Sequence, residues 1–121
     1  MRRAVITALA CAVAVSTAAA TALAHSEVVS TSPKAGGSAS TKITKVTVTF
    51  SGPMRKGTIR VTGAGGKVVS QGSGGSDPRN VNRLTVALKR GLKAGRYTAA
   101  WTAVAADGHK QQGSFRFRLR S

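Results

Sequence analysis

The residues best placed to do chemistry in this chain are Asp107 and His109, separated by Gly108. In an extended segment, side chains two positions apart project to the same side, so one metal ion can meet both. Gly108 lets the backbone turn between them. Alone the pair is a weak signal, because Asp-Gly is also a common hairpin turn. The only other histidine, His25, is far away in sequence. It follows Thr21-Ala22-Leu23-Ala24, which reads as the end of a secretory signal. Cleavage after Ala24 would give His25 a free α-amine. That amine and His25 Nδ1 can close a chelate ring on one ion without help from the fold. Adding Asp107 and His109 makes three nitrogens and one oxygen, a set that suits tetragonal copper(II), one ion per chain. Zinc accepts similar ligands but prefers a tetrahedron, and copper(II) binds such sites more tightly. The amine and imidazoles must be neutral to ligate, so binding should release protons and weaken below roughly pH 6. Soft ligands for copper(I) are nearly absent: beyond residue 24 there is no Cys and only Met54, which reads as a strand-end surface residue.

The start of the chain supports that processing. Met1-Arg2-Arg3 is basic, Ala4 to Val15 is apolar, and an Ala-x-Ala ending follows, so residues 1–24 are expected to be a signal peptide. The apolar run is too short and too poor in Leu and Phe for a membrane anchor. A lipoprotein site at Cys11 is the rival reading, but the apolar segment before it is short for export. Residues 25–121 then form one domain of 97 residues, enough for a modest core. An exported domain without disulfides must draw its stability from that core or from a bound metal.

Charge is lopsided. Without Arg2 and Arg3, 17 of the 19 basic residues face only Glu27, Asp77 and Asp107, a formal +14. Such a field attracts polyanions: nucleic acid, acidic lipid headgroups or anionic envelope polymers. Export argues against nucleic acid. The plainer reading is a solvated basic surface.

The elements that must position the site are strands. Val28-Val29 opens a short one that Pro33 ends, and Lys34 to Ser40 is a Gly/Ser loop. Val46, Val48 and Phe50 alternate with threonines, the period-two signature of a strand with one buried face. Ser51-Gly52-Pro53 breaks it. Further runs cover Thr58 to Thr62, Lys67 to Ser70, Leu84 to Leu88, Tyr97 to Ala103 and Phe115 to Leu119. Gln71 to Asn82 is rich in Gly and nearly free of apolar residues, so it is expected to be a surface loop. Tyr97 and Trp101 share the face of Ala99 and Ala103 and are expected in the core. Arg116, Arg118 and Arg120 alternate with Phe and Leu, as an outer face would. About seven strands, with turns every eight to twelve residues and no helical period, predict an all-β, seven-stranded Greek-key sandwich.

With these residues in hand, the chain resembles the CopC-type copper-resistance proteins over residues 25–121. The pieces are His25, Ser32-Pro33-Lys34-Ala35-Gly36, Phe50-Ser51-Gly52-Pro53, Leu92 to Tyr97 leading into Trp101, Asp107-Gly108-His109 and Gly113. The resemblance implies an immunoglobulin-like or cupredoxin-like barrel in the periplasm or on the outer face of the envelope. It implies copper(II) held by the amine and imidazole of His25 with Asp107 and His109, and delivery to a CopD-like inner-membrane transporter. Ala105 stands where that family usually has Ser. The methionine-rich copper(I) site of some members is not expected here.

The favoured function is therefore a monomeric, non-enzymatic copper(II) carrier or scavenger. A histidine-brace copper oxygenase also uses an N-terminal His, but it keeps an equatorial position open that Asp107 would close. A basic adhesion module for anionic envelope polymers is the other alternative.

Overall fold

The computed structural model describes residues 26–121. The expected signal peptide, Cys11 and His25 lie outside the described residues. The alternating runs fold into two four-stranded sheets. The first holds β1 (Val28–Ser32), β3 (Lys45–Phe50), β6 (Asn80–Leu88) and β5 (Ser70–Asp77), in that order. The second holds β2 (Ser38–Ser40), β8 (Lys110–Arg120), β7 (Gly95–Ala105) and β4 (Met54–Thr62). Among the described residues β5–β6 and β7–β8 are hairpins, and the other connections cross between the sheets.

Period-two patterning decides which faces meet. Val46, Val48 and Phe50 of β3 and Leu84, Val86 and Leu88 of β6 point inward against Ile59, Val61, Tyr97, Trp101, Phe115, Phe117 and Leu119 of the other sheet, and all are buried. Each such side chain contributes about 1.5–3 kcal/mol when fully removed from water. Trp101 meets Phe50 edge-on, with ring centroids 5.0 Å apart and planes at 79°. Gly113 lies opposite Trp101 in the β7–β8 register. A Cβ there would come within 2.6 Å of the indole, so glycine is what lets the large ring lie flat against β8. The Tyr97 hydroxyl donates to the Lys93 carbonyl at 2.6 Å and closes the turn before β7. Tyr97 and Trp101 are thus core residues, as their spacing predicts.

Three expectations need correction. The described residues form eight strands, because the Gly/Ser loop contains β2, which pairs parallel to β8 through Ser38 and Arg118. Gln71 to Asn82 is no loop: it forms most of β5, the turn and the start of β6. β5 has almost no apolar side chain, so its strand character comes from pairing with β6 rather than from its own composition. Gly72 and Gly74, at φ 68° and 70°, sit where its register shifts. A Cβ on Gly74 would come 2.4 Å from the Thr85 carbonyl oxygen. Met54 is also not a surface residue. It opens β4 at 4% exposure and belongs to the core.

Candidate metal centre

β7 ends at Ala105 and β8 begins at Lys110, so Asp107, Gly108 and His109 lie in the turn of the longest hairpin. Gly108 has φ 90°, a conformation that favours glycine and turns the chain back on itself. The turn is closed by Ala105 N–H to His109 O at 2.9 Å and Gly108 N–H to Ala105 O at 2.9 Å. Asp107 Oδ1 accepts the His109 backbone N–H at 3.0 Å. Its Oδ2 lies 2.8 Å from His109 Nδ1. The sequence places the two side chains together by assuming an extended segment. The structure brings them together through an Asp-centred turn instead.

The electrostatics follow from those contacts. The backbone N–H of His109, and after it the His109 ring, hold the Asp107 carboxyl below its ordinary 3.8. Asp107 therefore stays ionised across the neutral range, as a cation ligand or as a carboxylate orienting an imidazole must be. Both side chains are about half exposed, at 48% and 42%, so an ion can reach them from solvent.

His25 lies outside the described residues, but the position of its neighbour is informative. Ser26 lines one depression together with Ser51, Gly52, Pro53, Ala105, Ala106 and Asp107. Two sets of hydrogen bonds converge on the segment between β3 and β4. Glu27 N–H donates to Ser51 Oγ at 2.9 Å, and Ser51 N–H donates to the Glu27 carbonyl at 2.8 Å. Ala106 N–H donates to the Pro53 carbonyl at 3.1 Å. Ser51-Gly52-Pro53 thus clamps the start of the domain to the Asp107 turn. Gly52 gives Ser26 its place, since a Cβ there would lie 2.6 Å from Ser26 Oγ. The sequence marks this tripeptide as a strand breaker and as part of the family resemblance, but not as a clamp. Among the described residues no three His, Cys, Asp or Glu side chains form a metal-holding group.

The CopC domain family matches residues 28–120. The chain belongs to the CopC family. CopC-family proteins are copper-binding carriers and not enzymes. The fold agrees. CopC from Methylosinus trichosporium OB3b superposes with a TM-score of 0.66 at 24% identity, covering 78% of this chain and 93% of that one. PcoC, a methionine-rich copper resistance protein from Escherichia coli, gives 0.65 at 21%, covering 79% and 99%. Among curated proteins no similar sequence is found. Unlike a methionine-rich relative, this CopC-family chain has one methionine among its described residues, Met54, and buries it.

Proposed function

We propose that this copper resistance protein is exported, is trimmed after Ala24, and carries one copper(II) ion on the α-amine and imidazole of His25 together with Asp107 and His109. The carrying observation is the shared depression of Ser26 and Asp107. His25 is one peptide unit from Ser26, so its Cα lies within about 3.8 Å of that residue's Cα. That short tether to Ser26 supports a ligand set in which the His25 imidazole and amine join the Asp107 turn. Three nitrogens and one carboxylate oxygen suit copper(II) and fill its equatorial plane, which favours holding the ion over activating oxygen. While Asp107 engages His109 Nδ1, Nε2 is the nitrogen that ligates. Half-exposed ligands favour exchange with a partner, in this reading a CopD-like membrane transporter.

The test compares two forms of the protein, one beginning at His25 and one with a single extra residue before it. The extension should weaken copper(II) binding strongly and change the EPR spectrum. Equal affinities and spectra would remove the amine from the ligand set. Intact-mass analysis of the exported protein checks the start at His25.

A further inference from the structure

The outer face of the β2-β8-β7-β4 sheet carries a charge pattern that copper binding does not use. Arg116, Arg118 and Arg120 are exposed along β8, about 6.8 Å apart from one to the next. Arg96 of β7, also exposed, lies directly opposite Arg118. None of the chain's three acids is on this face. Glu27 is bound beside Ser51, Asp107 is in the β7–β8 turn, and Asp77 ends β5 in the other sheet. Like charges facing each other across paired strands are destabilising, so Arg96 and Arg118 repel each other here with no acidic side chain beside them.

The face is also shaped. A groove runs between the arginine row and Gly36-Gly37-Ser38. Its far wall is fixed by Gly36 N–H to Arg116 O at 2.7 Å and Arg118 N–H to Gly37 O at 2.9 Å. Arg120 Nε donates to Ser38 Oγ at 3.2 Å, which holds one guanidinium against the wall. Past Arg96 the surface continues into a cleft whose lining includes Lys89 and Lys93 and no acid.

We infer that this groove docks a linear phosphodiester polymer of the cell envelope, of the poly(glycerol phosphate) type, with its phosphates on the arginine row. Guanidinium groups bind phosphate oxygens in pairs, with a geometry lysine does not offer. A single row within a concave groove fits a chain better than a planar bilayer. The large exposed apolar residues, Val28, Val29 and Val81, are on the other sheet, so this face has nothing to insert into a membrane. Arg96 and the Asp107 turn lie at opposite ends of β7, roughly 30 Å apart along the strand. A docked molecule therefore presents its copper end away from the polymer. The inference relies on the proposed export only for the polymer's source, and it does not depend on copper.

The test uses the chain without its first 24 residues, in chelator, with poly(glycerol phosphate) as probe. Replacing Arg116, Arg118 and Arg120 by Gln should weaken binding at least about tenfold and flatten the log–log salt dependence by about two. The same variant should melt no lower than the parent at low salt, because repulsion is removed with the charge; if the triple variant fails to fold, a single Arg118→Gln variant should show a weaker loss of binding and a slope change of about 0.7. A control replacing the exposed Lys42, Lys45 and Arg79 by Gln removes equal charge elsewhere and should change binding by less than about threefold. Equal losses in both variants would mean that net charge alone attracts the polymer and would overturn the groove. So would tighter binding to phosphatidylglycerol vesicles than to the polymer. Copper titration of the same variants should be unchanged, and a failure confined to that titration would count against the copper site only.

Discussion

At the scale of single residues, backbone hydrogen bonds close the hairpin turn, and the His109 ring adds its contact with Asp107 Oδ2 at 2.8 Å on top of them. His109→Ala should lower copper(II) affinity by orders of magnitude while the apo protein's stability stays within about 0.5 kcal/mol, as for other surface changes. Calorimetric copper titration beside thermal melting checks both; a large loss of apo stability would make His109 structural. Asp107 gives the pH behaviour. Its carboxyl titrates below the ordinary value when folded, so the stability it adds is fully present above that ordinary value and disappears as pH falls through the lowered one. Copper should be released at higher pH than that, when the proposed α-amine ligand takes up its proton. A release midpoint coinciding with the Asp107 carboxyl titration, followed by carbon NMR, would contradict this order.

At the scale of elements, the loop between β3 and β4 and the β7–β8 hairpin act together. Gly52→Val would push Ser26 out of its depression while leaving the sheets alone, because the added atoms meet Ser26 Oγ. Copper(II) affinity should fall by at least about tenfold, in the range seen when supports of metal ligands are removed, with the circular dichroism of the sandwich retained. An unchanged affinity would mean that the clamp does not position the terminus. Gly113→Ala tests the core instead. Its methyl group would overlap the Trp101 indole, and the expected cost is about 1–3 kcal/mol in chemical denaturation. Copper affinity per folded molecule should not change.

At the scale of the whole molecule, charge is distributed unevenly along β7. The acids cluster at the end that carries the Asp107 turn, where Glu27 meets Ser51 and Asp77 follows Ser76, whose hydroxyl reaches the Met54 carbonyl. The other end, around Lys89, Lys93 and Arg96, has no acid. Self-repulsion of this kind destabilises the compact state and is screened by salt. The melting temperature of the apo protein should rise between about 10 mM and 150 mM salt, as the Debye length falls from roughly 30 Å to 8 Å. A melting temperature that ignores or falls with salt would show that local ion pairs, such as Arg83 with Asp77 at 3.7 Å, outweigh the net field.

The alternation of Val46, Val48 and Phe50, of Leu84, Val86 and Leu88, and of Phe115, Phe117 and Leu119 was enough to determine a sandwich and its inner faces. Side-chain direction in a strand depends only on local backbone period. The closeness of a carboxylate and an imidazole around Gly108 was legible from their spacing, but an Asp-centred turn, not the strand period, brings them together. What needed the tertiary structure is everything set by distant partners. β5 is a strand because β6 lies beside it, Met54 is buried because the two sheets close over it, and Ser51-Gly52-Pro53 becomes a clamp because two remote backbones donate to it. A chain's own hydrogen-bonding and apolar pattern specifies what it can offer a neighbour, but only the fold decides which neighbour is there.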